Sequence, residues 1–188
     1  MNHLDARGSG LVLVGYRGTG KSTVGRLLAE RLGREFADAD VALEAKFGLP
    51  VRAIFQERGE PYFRDCEEQV IAELTASPGQ VIATGGGAVL RETNRNTLRR
   101  YGLVIWLTAS ADEIGRRLAT NPQHVAGRPA LTALGTLNEI SKVLEARISD
   151  YKAASDLSVS TEGLSPDEVA LAILPRVSNA VLDFGAPL

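Results

Sequence analysis

Apolar residues in this chain fall into short unbroken runs separated by amphipathic stretches. The runs are Leu11–Val14, a weaker one near Phe36, Val81–Ala83, Leu103–Leu107 and Leu157–Val159. Runs without polar alternation suit strands covered on both faces. Between them the pattern predicts helices over 21–32, 60–76, 92–101, 110–120, 136–153 and 166–175. In the first helix, Val24, Leu27, Leu28 and Leu32 recur at helical spacing. This alternation predicts an α/β fold, a parallel sheet with helices on both faces. Right-handed crossovers then bring every strand's C-terminal end to one edge, where ligands bind.

Two stretches depart from the alternation. Residues 40–60 predict two short helical pieces broken at Gly48-Leu49-Pro50, a small insertion between the second and third strands. Residues 121–135 contain Pro122, Gly127, Pro129 and Gly135, which discourage a continuous helix. A loop there, facing the ligand edge, would be a lid.

The length of 188 residues, with 44% hydrophobic and 23% charged content, fits one globular domain with a sizeable core. A net charge of −2 argues against a nucleic-acid footprint. No apolar stretch reaches the roughly 18 residues that cross a bilayer. Met1–Ser9 has no apolar secretory core and reads as a frayed tail, so a cytoplasmic protein is expected. The single cysteine, Cys66, excludes an intrachain disulfide and reads as a small buried apolar residue.

Candidate chemistry begins at Gly15-Tyr16-Arg17-Gly18-Thr19-Gly20-Lys21-Ser22, which fits G-x-x-x-x-G-K-[ST] between a predicted strand and a predicted helix. Glycines let the loop curl so that its N–H groups face oxygen atoms, and the helix adds its positive dipole end. Lys21 would meet the β- and γ-phosphates, and the Ser22 hydroxyl can ligate Mg²⁺. Asp38 and Asp40 follow the second strand. They suit a metal's water shell and an attacking hydroxyl, or Asp40 caps the helix that begins at Val41, or both. Gly85-Gly86-Gly87 closes the third strand. Such a triplet makes sense where a ligand or another backbone comes very close, with a tight turn as the plainer alternative.

Arginines complete the set. Arg64 and Glu67 are three apart on a helix, so they can pair; the pair either stiffens an anion grip or decorates the surface. Arg128-Pro129 lies in the expected lid and could cover a transferring phosphoryl group. Arg147 and Tyr151 share one helix face. Arg116 or Arg117 could lie on an adenine ring or face water. His3 and His124 have no partners at metal-ligand spacing.

Taken together, these motifs closely resemble the shikimate kinase family, from about residue 10 to about residue 172. The joint pattern is Gly-x-x-Gly-x-Gly-Lys-Ser-Thr at 15–23, Asp-x-Asp at 38–40 and Ile-Phe-x-x-x-Gly-Glu-x-x-Phe-Arg-x-x-Glu at 54–67. It continues with Thr-Gly-Gly-Gly at 84–87, Arg-Pro-x-Leu-Thr at 128–132 and Arg-x-x-x-Tyr at 147–151. The resemblance implies a P-loop, three-layer αβα fold with five parallel strands in the order 2-3-1-4-5. It also implies a helical substrate-binding insertion over about 39–62 and a lid over about 121–135.

The implied reaction moves the γ-phosphoryl group of ATP to the 3-hydroxyl of shikimate, with Mg²⁺, in chorismate and aromatic amino-acid synthesis. Gly18, Thr19, Gly20, Lys21, Ser22 and Thr23 would hold the nucleotide phosphates. Ser22 and Asp38 would serve the metal, and Asp40 the substrate hydroxyls. Arg64, oriented by Glu67, and Arg147 would clamp the carboxylate. Phe55 and Phe63 would form an apolar floor, and Gly85, Gly86 and Gly87 would admit the ring, Gly86 donating its N–H. Arg128 would close from the lid, and Arg116 or Arg117 would meet adenine. The family also implies a monomer.

Three departures stand out. Arg17 occupies a cradle position that is usually apolar, and either an anion contact or packing on the lid would use it. The stretch from Arg117 to Arg128 is longer than in the shortest members. Ile148-Ser149-Asp150 precedes Tyr151 where proline and leucine are frequent. The rival readings are a kinase for another hydroxylated acid, such as gluconate, and a regulatory module that binds ATP without transferring phosphate.

Overall fold

The computed structural model describes residues 8–120 and 137–183. The chain begins with β1 (Gly10–Val14), α1 (Lys21–Leu32) and β2 (Phe36–Asp38), then α2 (Ala39–Phe47), α3 (Val51–Leu74) and β3 (Val81–Ala83). A 3₁₀ turn at Ala88–Leu90 leads into α4 (Glu92–Tyr101), β4 (Gly102–Thr108) and α5 (Ala111–Thr120). The described chain resumes with α6 (Leu137–Ala154), β5 (Leu157–Ser160) and α7 (Pro166–Asp183). Among the described residues, five strands pair in parallel in the order β2-β3-β1-β4-β5. This is the order the resemblance implies.

The unbroken apolar runs are explained by two covered faces. Along β1, Leu11 and Leu13 point to one side and pack with Val24 and Leu28 of α1 and with Val169 and Ile173 of α7. Val12 and Val14 point to the other side, toward Ile71 of α3, Leu98 of α4 and Tyr151 of α6. The same alternation holds in β4, with Ile105 and Leu107 on the first side and Val104 on the second. Side chains alternate along a strand, so each strand serves both cores. A third cluster lies in the insertion, where Leu43 of α2 meets Ile54, Phe63 and Cys66 of α3. Cys66 is buried there as expected.

Two boundaries differ from the sequence pattern. The helix expected from residue 60 is joined to an earlier piece starting at Val51, with a break at Gly59 (φ 80, ψ 171) just before Pro61. Gly59 adopts a left-handed φ that ends one helix and redirects the next. The last helix does not stop at Pro175 but runs on to Asp183. A proline removes one i→i−4 hydrogen bond. Here Ile173 and Val177 stay buried in the same cluster on either side of it, so packing outweighs that loss.

Parallel pairing delivers the ends of β1, β2, β3, β4 and β5 to one edge. The loop after β1, Asp38, the triplet after β3 and Thr161 after β5 therefore share that rim. Among the described residues, no helix is long and apolar enough to cross a membrane.

The central β1–β4 pairing requires a glycine. Gly10 and Gly102 are register partners, and a Cβ on Gly102 would strike the backbone of Gly10. Gly33, at φ 61, has nothing within 4 Å of such a Cβ. We therefore expect Gly102→Ala to lower the unfolding free energy by about 3 kcal/mol through overpacking. Gly33→Ala should cost about 1 kcal/mol, from its left-handed backbone alone. Urea unfolding of the two variants measures the difference.

Candidate functional site

The loop between β1 and α1 is shaped by glycine. Gly18 and Gly20 hold φ values of 81 and 90, which L side chains rarely adopt. Gly20 is also the N-cap of α1, whose first turn carries no acidic residue. The start of that helix, at the end of the loop, suits an anion. Thr19 is buried and its Oγ1 donates to the Tyr16 carbonyl at 2.8 Å. Lys21 Nζ donates to the same carbonyl at 2.9 Å. The lysine is thus drawn over the loop rather than extended into solvent.

Asp38 and Asp40 do not share a face, because the chain turns between them. Asp38 ends β2 and is itself the N-cap of α2, its Oδ1 accepting from Asp40 N at 3.0 Å. The cap anticipated at Asp40 is therefore Asp38, and Asp40 lies in the first helical turn. Asp38 Oδ2 accepts from Ser22 Oγ at 2.5 Å. A hydroxyl from α1 and a carboxylate from β2 thus converge beside Lys21, a pair of hard oxygen donors. Among the described residues, no group of three or more His, Cys, Asp or Glu is placed to hold a metal ion. So sparse a set fits Mg²⁺, which keeps several waters and takes further oxygens from phosphate.

The glycine triplet joins the cradle to the arginines. Gly85, Gly86 and Gly87 are buried, and none has positive φ. At Gly86 and Gly87 glycine answers to close neighbours and not to backbone conformation. A Cβ on Gly86 would stand 3.3 Å from Arg17 N and 3.5 Å from the Gly15 carbonyl, both in the cradle loop. On Gly87 it would collide with the Arg64 guanidinium, whose Cζ would be 2.8 Å away. The Gly86 carbonyl accepts from Tyr151 Oη at 2.6 Å and from Arg147 Nη1 at 3.3 Å. Tyr151 is fully buried and stacks on Trp106 of β4, ring centroids 5.3 Å apart. Arg147 and Tyr151 are therefore not surface decoration.

Arg64 is likewise no surface residue. Its side chain is 11% exposed, and that of Glu67 is 3% exposed. Arg64 Nη1 donates to Glu67 Oε2 at 2.6 Å, while Nε and Nη2 reach Glu60 Oε1 at 3.2 and 2.9 Å. Its guanidinium lies 5.1 Å from the centroid of the Phe63 ring. Phe63 is itself a core residue at 1% exposure, with Phe55, half-buried, against it at 4.3 Å between centroids.

On the far side of the cradle, Arg117 is the anchored member of the Arg116–Arg117 pair. Its Nη1 donates to the Gly18 carbonyl at 3.2 Å and to Thr161 Oγ1 at 2.9 Å, and Nη2 donates to the Thr161 carbonyl at 2.7 Å. Its Nε reaches Glu113 Oε1 at 2.6 Å. Arg116 is 65% exposed and also pairs with Glu113. The Glu113 contact was legible at i, i+4. Thr161 was not, because only the folding of β5 beside β4 brings it there. A cavity of about 750 Å³ runs along the cradle from Arg117 and Thr161 past Lys21 and Ser22 to Asp40 and Gly86; Arg64 and Arg147 meet the triplet beside it and are not among its lining residues. Arg128 and the expected lid lie outside the described residues.

Comparison with known proteins points one way. The family model for shikimate kinase matches residues 17–178. A shikimate kinase of Thermodesulfovibrio yellowstonii is 41% identical over 172 residues, 90% of this chain and 96% of that protein. One from Pseudomonas syringae pv. syringae is 42% identical over 169 residues, again 90% and 96% of the two chains. Among solved structures, the shikimate kinase of Acinetobacter baumannii in complex with shikimate superposes with a TM-score of 0.84 and 33% identity. That match covers 94% of this chain and 96% of the other. A gluconokinase from Sinorhizobium meliloti gives a TM-score of 0.60 at 19% identity over 96% and 99%, a likeness of fold alone.

The Arg117 anchorage should depend on acid pH. Hydrogen bonds from Arg116 and then Arg117 lower the Glu113 carboxyl from its ordinary 4.5 to about 2. Between those values the unfolded chain binds the extra proton, so stability rises with pH there. Glu113's contribution is fully present above pH 4.5 and fades as pH falls toward 2. The stability gap between wild type and Glu113→Gln, followed by urea unfolding, should be constant from pH 7 to 5 and shrink below 4.5. A gap that does not change with pH would contradict this.

Proposed function

This chain belongs to the shikimate kinase family, and from that premise we propose how its residues divide the transfer of a phosphoryl group from ATP to the 3-hydroxyl of shikimate. Members of the family are ATP-dependent kinases that phosphorylate shikimate in aromatic biosynthesis, and this chain is one of them. What is proposed is the assignment of roles.

The observation that carries the assignment is the convergence of Arg64 and Arg147 on neighbouring glycines, Gly87 and Gly86. Shikimate is a compact ring acid with one negative charge and several hydroxyls. Two guanidinium groups at one patch can grip its carboxylate, each charge-assisted bond worth roughly 1.5–3 kcal/mol. Glu67 holds Arg64 in place. Gly85, Gly86 and Gly87 let the ring lie against the backbone, Gly86 offering its N–H. Phe55, with Phe63 behind it, supplies the apolar contact.

Asp40 lines the cavity from the first turn of α2. It accepts the proton of the substrate hydroxyl and aims its oxygen at the γ-phosphorus. Opposite it, the N–H groups of Gly18, Thr19 and Gly20 and of the first turn of α1 hold the nucleotide phosphates, with Lys21, Ser22 and Thr23. Ser22 and Asp38 would hold Mg²⁺, which when bound neutralises phosphate charge. Arg117 presents its guanidinium to adenine, and Arg128 closes over the phosphoryl group. Little covalent help is needed for phosphoryl transfer, so alignment and charge neutralisation carry the rate. The proposal includes a cytoplasmic monomer without membrane attachment. It also includes no nucleic-acid partner, which the net charge of −2 supports.

Purified protein with ATP and Mg²⁺ should release ADP only when shikimate is added, with gluconate inert. ADP release that ignores shikimate would overturn the proposal. Arg64→Ala and Arg147→Ala should each weaken shikimate binding about 10- to 100-fold, the loss of one charge-assisted contact. Asp40→Asn should lower kcat about 10²- to 10⁴-fold with a small change in KM. Wild-type turnover in Asp40→Asn would remove that residue from the mechanism.

A further inference from the structure

Arg17 is not used in the roles assigned above. Its Nε is buried and, among the described residues, donates to no acceptor. Among the described residues its guanidinium makes no ion pair with a carboxylate, and it lies over the face of Tyr16, 5.9 Å from the ring centroid. A desolvated N–H without an acceptor is unfavourable unless another group completes it. The residue nonetheless lines the cavity that Lys21 and Asp40 also line.

Position narrows what that group is. Arg17 belongs to the phosphate cradle by sequence, and its backbone N would stand 3.3 Å from a Cβ on Gly86. It therefore sits on the seam between the cradle and the triplet. Arg64 and Arg147 meet the triplet through Gly87 and the Gly86 carbonyl. Two guanidinium groups already answer the acid's single charge there. On the roles proposed above, a phosphoryl group passing from nucleotide to acceptor crosses the seam where Arg17 stands, and it brings several anionic oxygens. A planar guanidinium suits such a group.

We infer that Arg17 is a specificity-determining contact that binds an oxygen of the phosphoryl group once it has reached the acceptor, so that it favours the phosphorylated acid over the unphosphorylated one. This rests on the reading of the site given above. It gives the cradle a hold on both sides of the transferred group.

Calorimetric titration of wild type, Arg17→Met and Arg17→Lys with shikimate, shikimate 3-phosphate and ADP tests it. Arg17→Met should weaken shikimate 3-phosphate at least about 10-fold, the scale of one charge-assisted contact. Its affinities for shikimate and ADP should stay within about twofold of wild type, less than the loss of one such contact would produce. Arg17→Lys should keep part of the affinity, because a point charge replaces a fork. The lysine variant carries the same comparison if the methionine variant does not fold. Equal losses for shikimate and its phosphate would put Arg17 on the carboxylate and overturn the inference. So would a matching loss for ADP, or no loss at all. If wild type binds neither shikimate nor its phosphate, the reading of the site fails as well. If wild type binds both and Arg17→Met equals it, only the role of Arg17 fails.

Discussion

Two backbones and two cations meet at Gly86 and Gly87, where an added Cβ would stand tight against the cradle loop at one position and strike the end of Arg64 at the other. The cradle loop presses on Gly86 through Arg17 N and the Gly15 carbonyl, while the Arg64 guanidinium lies against Gly87. The Gly86 carbonyl in turn fixes Tyr151 and Arg147 of α6. Parallel pairing in the order β2-β3-β1-β4-β5 places the ends of β3 and β1 side by side, which makes this meeting possible. Residues that are far apart in sequence, 17, 64, 86 and 147, come together where glycines let the chain and the Arg64 guanidinium approach closely. On the proposed reading this closeness brings a ring acid up to a nucleotide's terminal phosphate.

One arginine on each side of the cradle is fixed in the same way. Two of the arginines that face the site are held by carboxylates on their own helices: Arg64 by Glu67 and Glu60, Arg117 by Glu113. A fixed guanidinium loses less freedom when a ligand arrives, so orienting it in advance helps binding. The carboxylates leave other faces of the fork free to work, as Arg117 shows by also holding Gly18 and Thr161. Ser22 and Asp38 apply the same economy to oxygen donors, the aspartate capping α2 through one oxygen and meeting the serine through the other.

Much of this was legible in the sequence because it is local. Unbroken apolar runs gave the strands, and the glycine-lysine-serine motif located the cradle between the first strand and its helix. The spacing of Arg64 and Glu67 gave their pairing. What the sequence left open depended on distant contacts or competing local terms. Whether Arg64 and Glu67 were solvated could not be read from their spacing, since burial came from packing α3 under the triplet. The cap fell on Asp38 and not Asp40 because α2 begins at Ala39, two residues before Val41. Pro175 looked like a stop, yet Ile173 and Val177 packed on either side of it. Thr161 carries no motif and acquires its place only when β5 pairs with β4.

The account stands on the space at Gly87, and Gly87→Ala tests it most directly. The added methyl should displace the end of Arg64, a flexible side chain, and leave the backbone in place. Shikimate affinity measured by titration should then fall about 10-fold or more, the scale of one charge-assisted contact, while ADP affinity and the urea midpoint stay near wild type. Unchanged shikimate affinity in a folded Gly87→Ala protein would contradict the claim that this close approach builds the acid's site.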